Sequence, residues 1–146
     1  MISRLRSRLT ETVRNEDGSV LVLTLGYAVL SIAAILVCVL ATSLYLAQKR
    51  LDSLADAAAL AGADGFAISV EGDDVRARLE SAAVRAQAAA IVDVVGEGAV
   101  LVSAATPDGV SARVTVRTVW HPPLVSPFVP GGVPLEATAT SRTALD

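Results

Sequence analysis

Few residues in this chain are of a type and at a spacing that could carry chemistry. The one histidine, His121, has no cysteine or paired acid nearby, and the one cysteine, Cys38, lies in an apolar stretch. Zinc sites need several such ligands, and acid–base catalysis needs positioned partners. Glu71, Asp73 and Asp74 are clustered without the spacing of a calcium loop, so we interpret them as a turn and a helix cap. We therefore predict no catalytic residue, no metal and no cofactor.

The most unusual local sequence is Trp120, His121, Pro122 and Pro123. One interpretation is a loop that binds a partner protein, and the other is an ordinary connection stiffened by proline. The net charge of −3 and the pI of about 5.1 argue against nucleic acid as the main partner, because such binding needs a basic face. The sequence has no P-loop, and we expect no small-molecule substrate.

The elements that must position these residues begin with a long apolar segment. Residues 18–48 include no charged side chain, and 15 of the 27 residues from Val20 to Leu46 are Val, Leu or Ile. A bilayer core of about 30 Å is crossed by roughly 20 helical residues. The segment therefore predicts a membrane-spanning helix. The alternative is a cleaved secretory signal, although the apolar part of such a signal normally has only about 7–15 residues.

Basic residues on both sides of the segment predict its orientation. Arg4, Arg6, Arg8 and Arg14 precede it, whereas only the adjacent pair 49–50 follows closely. Cytoplasmic flanks carry the excess of Lys and Arg. We therefore expect a cytoplasmic N-terminus, with the lipid bilayer as one partner and the rest of the chain outside the cytoplasm.

Small and apolar residues continue beyond the span at alternating spacings of three and four, which is typical of a helix packed lengthwise on another helix. This helix packing seam consists of Leu44, Ala47, Leu51, Leu54, Ala58, Ala61 and Gly65. We predict one helix over about residues 19–67. A second amphipathic helix is predicted over about residues 74–95, with Asp73 as its N-cap and Gly96 at its end.

The apolar period then changes to two, which indicates strands. A short apolar run at 99–104, an alternating segment at 110–120 and another at 133–143 predict a small three-stranded antiparallel sheet. The fold class is therefore α+β. The predicted organisation is a cytoplasmic leader at 1–18, a transmembrane helix at 19–48, an Ala-rich stalk at 49–72 and an extracytoplasmic α+β domain at 73–146.

The apolar helix and its continuation resemble a known family. Gly18-Ser19 opens the helix, and residues 48–65 read QKRLDSLADAAALAGADG. This region resembles the TadE/TadG-like family of Tad/Flp pilus assembly over about residues 17–64. The resemblance implies a single-pass bacterial envelope protein whose partners are other pilus and envelope membrane proteins. Members of the TadE type are cleaved after the glycine and have glutamate five residues on, where this chain has Leu23. We therefore expect the leader to be retained, as in the TadG-like variant.

Two classes of function stay open from the sequence. The first is a non-enzymatic component of a Tad/Flp-type pilus or related secretion apparatus, anchored in the bacterial plasma membrane. The alternative is a single-pass extracytoplasmic adaptor or sensor domain unrelated to pili. A membrane-tethered enzyme is a third reading, but the chain offers no recognisable set of catalytic residues for it.

Overall fold

The computed structural model describes residues 2–71 and 74–142. The chain divides into two compact units, residues 1–41 and 42–146. In chain order the elements are α1 (Ile2–Asp64), β1 (Phe66–Glu71), β2 (Asp74–Leu79), α2 (Ser81–Val95), β3 (Val100–Ala105), β4 (Ser111–Trp120), a short 3-10 helix (Ser126–Phe128) and β5 (Val133–Arg142). The α+β class predicted from the sequence is confirmed.

The first unit consists of the N-terminal part of α1. Its large apolar side chains between Val20 and Val39, among them Leu21, Val29 and Ile35, are exposed. Within the described residues, α1 is the one helix long and apolar enough to cross a membrane, with a mean hydropathy of 2.6 in its most apolar part. An isolated helix with apolar side chains all round needs an apolar environment.

The observed bounds of α1 differ from the predicted 19–67. The helix starts at Ile2, since the leader contains good helix formers and Gly18 does not interrupt it. It ends at Asp64, three residues earlier than predicted. The N–H of Gly65 donates to the carbonyl of Gly62 at 3.3 Å, and Phe66 already begins a strand.

The prediction of the second helix is wrong over residues 74–80, about its first third. The helix does not begin at residue 74, because β1 and β2 form an antiparallel hairpin in which Phe66 pairs with Leu79 and Glu71 pairs with Asp74. The predicted N-cap, Asp73, lies outside the described residues. Helix α2 begins only at Ser81 and ends at Val95, and the N–H of the C-cap residue Gly96 donates to the carbonyl of Val92.

The three-stranded sheet is close to the prediction. Strands β3, β4 and β5 lie in that order and are antiparallel, with a bulge in β3 between Leu101 and Ser103. In β4 the side chains alternate as expected: Ala112, Val114 and Val116 are fully buried, whereas Arg113 is exposed. One face of the sheet therefore faces a core and the other faces outward.

The core between the sheet and the helices consists mainly of small side chains. α1 contributes Leu51, Leu54, Ala55, Ala58, Ala59 and Ala63, α2 contributes Val84, Ala88 and Val92, and the strands contribute Leu79, Ala104, Ala112, Val114, Val116, Ala137 and Ala139. Its largest fully buried side chains are valines. Helices and sheet can therefore approach one another closely.

Candidate functional site

A groove of about 680 Å³ lies in the second unit, between α1, the end of α2 and the end of β4. Its walls include Leu51 and Leu54 from α1, and Trp120 and His121 from the end of β4. The structure thus brings the helix packing seam and the Trp-His segment together, although about 70 residues separate them in the sequence. The groove is the concave surface that combines the candidate residues of both kinds.

Two contacts show how β4 lies relative to this part of α1. Near the start of the strand, Ala112 is so close to Gly62 that a Cβ on the glycine would be only 3.3 Å from the Cβ of Ala112. At the other end, the indole Nε1 of Trp120 donates to the hydroxyl of Ser43 at 3.2 Å. The strand therefore follows α1 in the antiparallel direction, from Gly62 back to Ser43.

The seam residues differ in burial. Leu51, Leu54 and Ala58 are buried, Ala47, Ala61 and Gly65 are half-buried, and Leu44 is 36% exposed. Ala55, Ala59 and Ala63 are also buried, although the spacing of three and four did not select them. The buried face of α1 is therefore wider than the seven residues of the seam. The high content of alanine and glycine in this part of α1, rather than its hydropathy, is the sequence signal that indicates these additional buried positions.

The four residues of the predicted partner loop do not face the same way. Trp120 is half-buried through its bond to Ser43, and Pro122 is buried, with its carbonyl accepting the hydroxyl of Ser126 at 2.6 Å. His121 and Pro123 are exposed. A protein partner would therefore contact mainly those two residues, and the partner role stays a prediction.

The groove contains isolated ionisable side chains that do not interact with one another. Arg50, Glu97 and His121 line it, and no ion pair or hydrogen bond joins any two of these three described side chains. Among the described residues there is also no group of three or more His, Cys, Asp or Glu that could hold a metal ion. The groove offers a concave shape, apolar surface and single ionisable side chains.

A hydrogen-bonded carboxylate lies outside the groove, in the turn between β3 and β4. The carboxylate of Asp108 accepts the N–H of Val110 at 3.0 Å, the N–H of Ser111 at 2.7 Å and the hydroxyl of Ser111 at 2.8 Å. These bonds, the one from the Val110 N–H foremost, lower the pKa of Asp108. The neighbouring N–H of Gly109 donates to the hydroxyl of Thr106 at 2.9 Å. Asp108 thus stabilises the turn.

One family model matches the chain. It is described as "Putative Flp pilus-assembly TadE/G-like" and matches residues 18–65, about a third of the chain. The match coincides with the charge-free run and the buried end of α1, and it confirms the family resemblance predicted over about residues 17–64. No curated protein and no solved structure gives a significant match to the chain. The matched segment supports a role related to pilus assembly.

Proposed function

We propose that this protein is a non-enzymatic, membrane-anchored component of a Tad/Flp-type pilus or a related secretion apparatus. Helix α1 anchors it in a bacterial plasma membrane with the N-terminus in the cytoplasm. The α+β domain lies on the outer side, where it contacts other pilus or envelope subunits. The domain boundaries predicted at residues 48 and 72 belong to this proposal.

The observation that carries the proposal is the family match over residues 18–65. The matched residues combine two properties in one helix. Its first part exposes large apolar side chains with no charge from residue 18 to 48, as a membrane span requires. Its last part is buried in the core of the second unit, with Leu51, Ala58 and Ala63 all less than 4% exposed. A helix of this kind is a membrane anchor at one end and part of a folded domain at the other.

A deletion and complementation experiment in the native host tests this function. We expect loss of the gene to abolish or strongly reduce surface pili, counted by electron microscopy, and the wild-type gene to restore them. A second complementing gene should carry Leu30→Arg and Val37→Arg, two changes inside the charge-free run that each cost about 2.5–3.5 kcal/mol in membrane insertion.

A matched control places the same two charges on exposed positions of the domain, Thr138→Arg and Thr140→Arg. The control should restore pili, whereas the variant with charges in the span should not. Unchanged pili in the deletion strain would contradict the proposed function and would favour an adaptor or sensor domain unrelated to pili.

A further inference from the structure

The connection between β4 and β5, residues 121–132, exposes large apolar side chains. Phe128 is 84% exposed and Leu124 is 68% exposed. Leu124 also has a φ of +72°, a left-handed conformation that a leucine rarely adopts, so the backbone is strained where this side chain is presented. Two large and strongly exposed apolar side chains on one loop indicate an interaction surface rather than a surface adapted to water.

The loop and its flanks lack charge as well. No Asp, Glu, Lys or Arg occurs between Arg117 and Glu136, and five of the six prolines lie in this interval. The prolines restrict the loop, so that little conformational entropy is lost when it binds. Exposed Phe and Leu without any charged neighbour are suited to the boundary between lipid headgroups and acyl chains.

The position of the loop in the fold also points to the lipid interface. Since β4 follows α1 from Gly62 back to Ser43, the loop leaves the sheet beside Ser43. The return strand is fixed at the same level, because the side-chain amide of Gln48 donates to the carbonyl of Glu136 at 3.2 Å. Ser43 and Gln48 lie in the C-terminal part of the charge-free run, which ends at Gln48. The loop therefore emerges where α1 would leave the hydrocarbon core.

The residues of α1 at this level have the side chains of a membrane interface. Tyr45 is exposed, and the ammonium group of Lys49 lies 5.9 Å from the centre of its ring. Tyrosine is enriched at headgroup level, and lysine near the end of a span extends its charge toward water. With α1 anchored as proposed above, lipid headgroups would lie at this level of the helix.

We propose that the 121–132 loop inserts Leu124 and Phe128 into the interface of the same bilayer that α1 crosses. The occupant of this surface is lipid rather than a second protein. The inference rests on the proposed membrane anchoring. A single span leaves a domain free to tilt about its exit point, and a second contact with the membrane fixes the orientation of the sheet.

Site-directed fluorescence in the full-length protein tests this proposal. Two single-cysteine proteins carry Phe128→Cys or Leu60→Cys in a Cys38→Ser background, and a third keeps native Cys38. Each is labelled with an environment-sensitive dye and reconstituted in phosphatidylcholine/phosphatidylglycerol vesicles. Quenching is measured with spin-labelled lipids and with aqueous iodide. Leu60 is the matched control, because it is an exposed apolar residue of α1 close to Gly62, at the far end of β4.

We expect the dye at position 128 to show blue-shifted emission, quenching by lipid and little quenching by iodide. The dye at position 60 should show the reverse. The dye on Cys38 reports the anchor independently and should be quenched by lipid. If Cys38 is quenched by lipid while position 128 is quenched by iodide, the loop proposal is wrong and the anchor stands.

Two other results would also overturn the loop proposal. Protection of position 128 from both quenchers would mean that a protein surface, such as a second copy of the chain, covers the loop. Absence of lipid quenching at Cys38 would mean that the anchor itself is wrong. A further variant, Phe128→Ser with Leu124→Ser, should fold normally and lose the protection from iodide when position 129 is labelled through Val129→Cys.

Discussion

At the scale of single residues, the side chain of Asp108 accepts three hydrogen bonds that stabilise the turn between β3 and β4. Replacing it by alanine removes the acceptor for two backbone N–H groups and one hydroxyl, so we expect Asp108→Ala to lower the thermal midpoint of the domain. Thermal unfolding of the full-length protein in detergent can be followed by the fluorescence of Trp120, the single tryptophan. Asp56→Ala is the control, because Asp56 is exposed on α1 and should change the midpoint little.

The same carboxylate predicts a dependence of stability on pH. The pKa of Asp108 is lowered in the folded state, so its contribution is fully present above the unfolded value of about 3.9. It is lost as the pH falls through the lower, folded pKa. Asp108→Asn should therefore flatten the acid side of the curve of thermal midpoint against pH. Parallel curves for wild type and Asp108→Asn would show that the carboxylate does not stabilise the turn.

Gly62 is a residue at which α1 lies close to both α2 and the sheet. A Cβ there would lie 3.0 Å from Cγ1 of Val84 and 3.3 Å from the Cβ of Ala112. Gly62→Leu gains helix propensity of about 0.8 kcal/mol but overfills the contact, and we expect a net loss of about 1–3 kcal/mol in the free energy of unfolding. Chemical denaturation monitored by Trp120 fluorescence measures it.

A second change tests whether crowding is the cause. Val84→Ala removes the side chain that the leucine would meet, so the double variant should be more stable than the sum of the two single changes predicts. Ala57→Leu, at an exposed position on the same helix, should stay within about 0.5 kcal/mol of wild type. Strict additivity of Gly62→Leu and Val84→Ala would contradict the close approach.

At the scale of elements, the buried face of α1 is the feature on which the packing depends. Ala58 is fully buried, whereas Asp56, two residues earlier, is exposed. Ala58→Glu buries an unpaired charge and should cost several kcal/mol, enough to unfold the domain or abolish association with partners. Asp56→Glu should change stability by about 0.5 kcal/mol or less. Protease resistance of the domain and co-purification of partner proteins measure both variants, and equal behaviour would contradict the packing of this face.

The hairpin β1–β2 shows what a local pattern could not decide. Val75, Leu79, Ala82 and Ala86 fit a helical stripe, but Val75 and Leu79 also alternate with Arg76 and Arg78 at a period of two. The strand is selected by a contact distant in sequence, since the N–H of Leu79 donates to the carbonyl of Gly109 at 2.8 Å, in the turn that Asp108 holds. Tertiary pairing of this kind overrides helix propensity.

The sheet, by contrast, was predictable because two independent signals agree. The alternation along residues 111–120 selects the buried face, and the Thr106–Gly109 turn fixes where β3 ends and β4 begins. In the groove, the sequence indicated Leu51, Leu54, Trp120 and His121, but not that they line one surface. These residues are close together because β4 runs antiparallel to α1. The spacing of residues within either element does not predict this arrangement.

At the scale of the whole molecule, the topology is testable directly. A reporter enzyme that is active only outside the cytoplasm, fused after Asp146, should be active, because basic residues are more numerous before the apolar run than directly after it. The same reporter at the N-terminus should be inactive. The opposite pattern of activity would reverse the proposed orientation.

Processing of the leader gives a second test at this scale. The chain has Leu23 at the position where proteins of the cleaved TadE type have glutamate. We therefore expect the mature protein to keep residues 1–18. Intact-mass spectrometry of protein purified from the native host measures this. A mature N-terminus at Ser19 would contradict the expectation and would favour a cleaved pseudopilin. Leu23→Glu is the matched variant. Its leader should be cleaved if the absence of glutamate alone protects the leader of the wild-type protein.

The small side chains of the core also restrict how this domain can vary among related sequences. Where helices and sheet are separated by alanine and valine, a polar substitute of the same size, such as serine with its hydroxyl bonded to a nearby carbonyl, disturbs the packing less than leucine does. Positions such as Ala55, Ala59 and Ala112 are therefore constrained mainly by volume. In an alignment we expect Gly, Ala, Ser and Val to replace one another at these positions. A hydropathy profile would not identify them, although they are among the positions most restricted in volume.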